Sequence, residues 1–216
     1  GFRHSAKMIS WSVNLYYMNY KDQLIVTGQV NDVGAYIHTN VPKSYRQGIE
    51  AELGIQPFSR LTWNVNATFS QSKIKNYKEF IDNYALGEQT LTAYGTTDIA
   101  FSPNIIAGST ITFEIFKNFK LNFISKYVGD QFLDNSSSAA KKLDAFFVND
   151  IRLNYTIKTK LIREIGLIFA LNNIFNERYE SNGYTYSYIA GGERITENFY
   201  YPQAGINVMG GIGFKF

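Results

Sequence analysis

Side chains that could carry out chemistry are few in this sequence, and they are scattered. There are two histidines, His4 and His38, and no cysteine. Neither histidine has carboxylates at a spacing that would gather three or four ligands around a metal ion, so no metal site is expected. Asp98 and Asp150 stand alone, and no nucleophile lies in a motif that would supply it with a base. The chain therefore reads as a non-enzyme without a cofactor. What remains are groups that recognise rather than react. Glu50, Glu52, Asp150 and Arg152 are spaced to share the polar side of neighbouring strands. There they would pair with one another or with another domain, or line a path for a solute. Tyr184, Tyr186 and Tyr188, in "YTYSY", would lie on one side of a strand. Such a row serves either as an aromatic packing band or as a stacking and hydrogen-bonding surface for a ligand.

The elements that must hold these residues are β-strands. In "LTWNVNATFS", Leu61, Trp63, Val65, Ala67 and Phe69 alternate with Thr62, Asn64, Asn66, Thr68 and Ser70, the period of a strand with one apolar and one polar side. The same alternation runs through "ISWSVNLYYMNY", "GIEAELGIQ" and "STITFEIF". It continues less cleanly through "KLNFISKYV", "VNDIRLNYTI" and "EIGLIFALNN". The final "NVMGGIGFKF" puts Val208, Gly210, Ile212, Phe214 and Phe216 on one side. About eight strands are expected, several of them near the ~9–11 residues that a tilted membrane-spanning strand needs. "GFRHSAKM", ahead of the first, looks like the end of a preceding strand plus a turn.

Connections alternate in length. Turns are short around Pro57, Asn118 and Lys160. Loops are long from Ile25 to Pro42, Phe80 to Pro103, Leu133 to Lys142 and Glu180 to Asn198. Short turns at one end and long loops at the other are the pattern of a transmembrane barrel. Composition agrees. Aromatic residues make up 16% of the 216 and charged residues only 18%, while mean hydropathy is −0.19. Many aromatics, few charges and a polar mean suit strands with one side in lipid and one in water. A net charge of +3 with no basic cluster gives no reason to expect nucleic acid.

Four stretches carry a family likeness: "NLYYMNYKDQLIVTGQVNDVG", "NVPKSYRQGIEAELG", "LNNIFNERY" and "YYPQAGINVMGGIGFKF". Together they resemble the C-terminal part of a TonB-dependent outer-membrane receptor, most like those of the Bacteroidetes. Ile206 departs from the pattern, since arginine often follows the glycine of the "PQAG"-like segment. The resemblance implies a 22-stranded barrel with an N-terminal plug. Residues 1–216 would be the C-terminal portion of that barrel, about its last eight strands, with the plug outside this chain. It also implies import of a scarce or bulky ligand: a ferric siderophore, haem, cobalamin, a glycan or a peptide. The implied partners are outer-membrane lipid, TonB acting through the plug region, the remainder of the barrel, a surface lipoprotein and the barrel-assembly machinery. Gly211, Phe214 and Phe216 resemble the terminal-strand signal read by that machinery, because an unpaired strand with an apolar edge can be bound by strand addition. Two alternatives remain at this point: a self-contained eight-stranded membrane barrel serving as anchor or adhesin, and a soluble lipocalin-like barrel.

Overall fold

The computed structural model describes every residue except 32, 34 and 35, and among the described residues the chain forms strands and turns without a helix. The first four strands are β1 (Phe2–Ser5), β2 (Ile9–Val30), β3 (Tyr36–Phe58) and β4 (Leu61–Lys75). Three short strands follow, β5 (Lys78–Asn83), β6 (Glu88–Ala93) and β7 (Thr96–Asp98), and then the pair β8 (Ile105–Phe116) and β9 (Phe119–Val128). After β10 (Gln131–Phe132) and β11 (Lys142–Leu143) come β12 (Phe146–Lys158) and β13 (Glu164–Asn172). The chain closes with β14 (Glu180–Ala190), β15 (Glu193–Pro202) and β16 (Asn207–Lys215).

One large sheet runs β1-β2-β3-β4-β8-β9-β12-β13-β16, with β7 also paired to β4. Its long strands coincide with the eight alternating segments of the sequence, and β1 is the short strand expected before the first turn. Neighbours along the path are antiparallel and, apart from shifts at Val26/Val30, Ile55/Phe58 and Glu114/Phe116 near the strand ends, in regular register, so the alternation of each strand is carried across the sheet. Trp63 faces Ile55 and Ile111, Val65 faces Leu53, and Phe169 faces Leu153 and Gly210. The result is one apolar face and one polar face.

The apolar face is bare. Leu15 is 66% exposed, Phe69 53% and Ile212 63%. So large a contiguous apolar area is unfavourable in water and favourable in hydrocarbon. Aromatic clusters border it. Phe116, Phe119 and Tyr155 pack together beside one short turn, with ring centroids 4.8–5.8 Å apart. Tyr17 and Tyr45 stack at 6.2 Å toward the other end. On the polar face, Ser12 Oγ donates to Glu52 at 3.0 Å and Asn14 Nδ2 to Glu50 at 3.1 Å. Asp150 accepts the Asn173 amide at 2.8 Å. The acidic residues and Arg152 therefore do not pair with one another among the described residues, because each carboxylate finds a neutral donor closer by.

The sheet does not close. Among the described residues β1 pairs only with β2, and β16 only with β13. The architecture is an open portion of a barrel wall, which argues against both closed alternatives.

The long connections differ from the sequence reading. Ile25 to Pro42 is largely strand, because β2 and β3 continue pairing beyond the apolar band out to Val30 and Tyr36. Phe80–Pro103 and Glu180–Asn198 contribute a second sheet, ordered β15-β14-β5-β6, in which β14 and β5 run parallel. Backbone polar groups in long loops must find partners, and here they find one another. Burial follows the same division. The apolar cluster of Ile25, Val41, Ile74, Tyr77 and Ile99, with Tyr94 against it, lies at this loop end.

Two outcomes are expected. Val65→Arg in the full-length protein places a charge near the middle of the apolar face, at a cost of ~2–4 kcal/mol in a bilayer, and strongly lowers the yield of assembled protein. Asn66→Arg, opposite Glu52 on the polar face, leaves that yield nearly unchanged. Equal tolerance at the two positions contradicts the face assignment. Residues 1–216 alone, refolded in detergent, give no heat-modifiable monomer on a gel, since open edges leave backbone groups that lipid cannot satisfy. A protease-resistant monomer would show that the wall can close on itself.

Candidate functional site

The β14–β15 hairpin forms one side of the loop assembly and has two different faces. One face is anchored. Arg194 Nη2 donates to Glu79 at 2.8 Å and Nη1 to the Tyr94 hydroxyl at 3.0 Å. Asn198 Nδ2 donates to the Ala140 carbonyl at 2.6 Å. Glu79, 6% exposed, also accepts from Tyr94 OH at 2.7 Å and from Lys141 Nζ at 3.0 Å. Lys141, 1% exposed, donates in turn to Asp134 at 2.6 Å. A buried charge is tolerable only when it is paired and hydrogen-bonded. Here two carboxylates meet two cations, so the cluster is balanced. It ties β5, β15 and the β10–β11 connection into one unit. Tyr77 lies beside it, and its hydroxyl is held protonated well above the ordinary range, chiefly by burial and then by the Asp134 and Glu79 charges.

Next to this cluster is a cavity of about 560 Å³, within the size range of small-ligand sites. Its walls include Leu24 and Val26 of β2, Phe80 of β5, Leu133, and Tyr184 and Tyr186 of β14. Apolar walls with a few polar groups can seat and orient a ligand. The Tyr186 hydroxyl is bonded to Tyr84 OH at 2.8 Å and to Asp82 at 3.1 Å. Its pKa is pushed well above the ordinary tyrosine range by the bond to Tyr84, by burial and by Asp82, so the hydroxyl stays protonated. Tyr184 stacks on Phe199 at 4.7 Å and remains 48% exposed. Tyr188 packs on Tyr84 at 5.2 Å and on Tyr186 at 5.5 Å, and does not line the cavity. The tyrosine row is thus divided: Tyr184 and Tyr186 border the cavity, and Tyr188 packs behind Tyr186.

The other expected site residues lie elsewhere. Phe214 and Phe216 are 56% and 89% exposed on the apolar side at the opposite end, and Gly211 has open space around it. His4 is near Trp11, with ring centroids 6.1 Å apart, and His38 lines the cavity. Among the described residues no cluster of three potential metal ligands forms.

The family-like stretches have clear structural work. In "LNNIFNERY", Asn173 and Asn176 adopt positive φ. Asn173 Nδ2 donates to the carbonyls of Glu177 and Ala204 at 2.9 and 3.2 Å, and its Oδ1 accepts the Glu177 amide. Asn176 Oδ1 accepts the Ile206 amide at 3.0 Å. This motif and "PQAGI" are therefore one junction, which joins the top of β13 to the start of β16. A Cβ at Gly205 would stand 2.5 Å from Asn176 Oδ1, so a larger residue there would have to displace the oxygen that accepts the Ile206 amide. In "YRQGIE", a side chain on Gly48 would come within 2.7 Å of the Tyr16 hydroxyl. The stretch "NLYYMNYKDQLIVTGQVNDVG" forms most of β2 and ends on residues outside the described set.

Sequence reasoning missed Glu79, Asp134, Lys141 and Arg194. Glu79 is 62 residues from Lys141 and 115 from Arg194, and no local spacing signals such a meeting. Glu79→Ala removes the shared partner of two cations. Breaking a buried pair costs ~3–5 kcal/mol, so amide exchange in β14 and β15 should accelerate by about two to four orders of magnitude while β8 and β9 are unchanged. Unaltered exchange in the hairpin would show that the cluster does not anchor it.

Residues 1–176 match the sequence family described as TonB dependent receptor-like, beta-barrel. No curated protein matches. Among solved structures, the siderophore receptor PiuA from Acinetobacter baumannii aligns at a TM-score of 0.70 and 14% identity, over 97% of this chain and 26% of that one. The ferric yersiniabactin uptake receptor FyuA from Yersinia pestis gives 0.63 at 17%, over 97% and 28%. The copper transporter OprC gives 0.68 at 15%, over 99% and 31%. At these identities the likeness is one of fold, and the chain spans between about a quarter and a third of those structures. The family match, over residues whose strands, faces and open edges are those of a barrel wall, shows that the chain belongs to the TonB-dependent receptor-like β-barrel family.

Proposed function

We propose that residues 1–216 form the C-terminal portion of the barrel of an outer-membrane TonB-dependent receptor, about the last eight strands of 22. The receptor imports a ligand too scarce or too bulky for passive pores. The observation that carries this reading is the open, two-faced wall of the family fold, topped at its long-loop end by an ordered assembly with a cavity. Members of the family are transporters rather than enzymes, and they reside in the outer membrane. The short turns then face the periplasm and the cavity lies on the extracellular side.

In this reading Tyr184 and Tyr186 contact the ligand and Tyr188 braces Tyr186. Similar folds serve a siderophore receptor and a copper transporter. For this chain a ferric siderophore, haem, cobalamin, a glycan and a peptide remain the candidate cargoes. TonB acts through a plug domain supplied outside residues 1–216, and a surface lipoprotein is a further partner. The kinship with Bacteroidetes receptors rests on the sequence stretches alone. Gly211, Phe214 and Phe216 act as the assembly signal, since β16 pairs only with β13 among the described residues and its exposed aromatic residues offer the assembly machinery a strand to bind.

The function is tested by growth on each cargo class as limiting nutrient. Cells lacking the receptor and cells lacking TonB should fail on the same single class. If cells lacking the receptor grow normally on every class, the proposal is wrong. On that cargo, Tyr184→Ala combined with Tyr186→Ala should weaken binding by about tenfold with normal receptor abundance. The assembly role is tested separately. Deleting Phe216 should lower the amount of receptor in the outer membrane and leave binding by the assembled fraction intact. Normal abundance after the deletion would remove that role.

A further inference from the structure

The cavity beside the tyrosines has three carboxylates in its wall, Glu79, Asp82 and Asp134, and they are not equivalent. Glu79 receives Lys141 Nζ and Arg194 Nη2, and Asp134 receives Lys141 Nζ. Two cations therefore balance two of the three carboxylates. Asp82 has neutral partners. Gln89, directly opposite on β6, donates Nε2 to Oδ1 at 2.8 Å, and the Tyr186 hydroxyl of β14 donates to Oδ2 at 3.1 Å. Among the described residues no lysine, arginine or histidine forms an ion pair with Asp82.

These bonds fix the carboxylate without neutralising it. A carboxylate oxygen has two lone-pair sites, so each oxygen of Asp82 keeps one acceptor position after its neutral donor is seated. Gln89 is itself held, donating to the Gly28 carbonyl at 3.0 Å and accepting the Val30 amide at 3.3 Å. The surroundings suit a cation. Phe80 is two residues before Asp82 and so on the same side of β5. It lines the cavity together with Tyr184 and Tyr186, and aromatic faces attract ammonium and guanidinium groups. Leu24, Val26 and Leu133 add aliphatic wall, against which an apolar stem can lie.

We propose that this cavity takes a ligand carrying an ammonium or guanidinium group on an apolar stem, with Asp82 as the counter-ion and the aromatic rings beside it. A neutral ligand would cover Asp82 and leave its charge uncompensated. An anionic ligand would add a like charge. The inference rests on the reading of this cavity as the cargo site, and it narrows the cargo. Of the candidates, a peptide with a lysine or arginine side chain has the required group, whereas haem presents carboxylates.

The test uses the full-length receptor and isothermal titration calorimetry. His38 also lines the cavity, so binding is measured at pH 8, where imidazole is ordinarily uncharged. The probes are three capped dipeptides: acetyl-phenylalanyl-lysine amide and its norleucine and glutamate counterparts. Norleucine keeps the stem and removes the ammonium group. The parent should bind the lysine peptide about tenfold more tightly than the norleucine peptide, and the glutamate peptide least. That ranking needs no variant. Asp82→Asn should bind the lysine and norleucine peptides equally, at the parent's norleucine affinity. It should unfold at the parent's temperature, because asparagine can accept from Gln89 and donate to the Tyr186 hydroxyl, whose proton then turns to Tyr84. Asp130→Asn removes a carboxylate that pairs with Lys142 and is not part of the cavity wall, and it should keep the full lysine preference. If the parent binds the lysine and norleucine peptides equally, or if the preference survives in Asp82→Asn, the cation assignment fails and the cavity stands as a binding site. Tightest binding of the glutamate peptide has the same meaning. If the parent binds none of the three, the assignment also fails, and cargo-limited growth of cells carrying Tyr184→Ala with Tyr186→Ala decides on the cavity independently.

Discussion

A strand in hydrocarbon has no water to satisfy its amide and carbonyl groups, and that requirement organises everything else in this molecule. Each long strand of the sheet must pair on both sides, which fixes register, and register in turn aligns side chains into two faces. In the proposed reading the apolar face is large and bare, with Leu15, Phe69 and Ile212 mostly exposed, because lipid is the surrounding that favours it. The polar face can carry Glu50 and Glu52, each within hydrogen-bond reach of a neutral donor on β2. The same requirement makes the two end strands incomplete. Among the described residues β1 and β16 each pair on one side only, and in lipid such an edge must be paired.

Above the band the physics changes, and with it the construction. The loop end packs like a soluble domain, around Ile25, Val41, Ile74, Tyr77 and Ile99. A soluble-type core can be reinforced by buried charge, and Glu79 does this by receiving Lys141, Arg194 and Tyr94. Because those donors come from three different connections, the loops have one geometry rather than many. That is what allows a cavity to persist beside Tyr184 and Tyr186. A binding surface built from long excursions needs such preorganisation, since ordering flexible loops on binding would consume affinity.

Most of the wall was legible in the sequence, because a two-residue period is a local property. Trp63 against Asn64 and Val65 against Asn66 announce a strand and its faces without knowledge of any neighbour. The short turns were legible for the same reason. The loop assembly was not. The stretch from Ile25 to Pro42 was read as loop, yet it continues the β2–β3 ladder, because pairing above the band needs no apolar alternation. Glu79 and Lys141 meet across 62 residues, and no motif encodes that distance. The tyrosine row was read correctly as one face of a strand. Its division between cavity wall and support depends on Tyr84 and Phe199, which approach from other segments. "LNNIFNERY" was recognisable as a family mark, but its reason, the Asn173 and Asn176 bonds to Ala204 and Ile206, lies in three dimensions.

The central claim is that one face of this sheet lies in lipid and the other in water. Spin-label accessibility tests it most directly, since residues 1–216 contain no cysteine of their own to interfere. Single cysteines at Val65 and Asn66 of the full-length receptor, labelled in liposomes, report on adjacent residues of one strand. The account predicts that the label at Val65 is relaxed by oxygen and shielded from a water-soluble nickel chelate, and that the label at Asn66 shows the reverse. Equal access of the nickel chelate to both positions would contradict it.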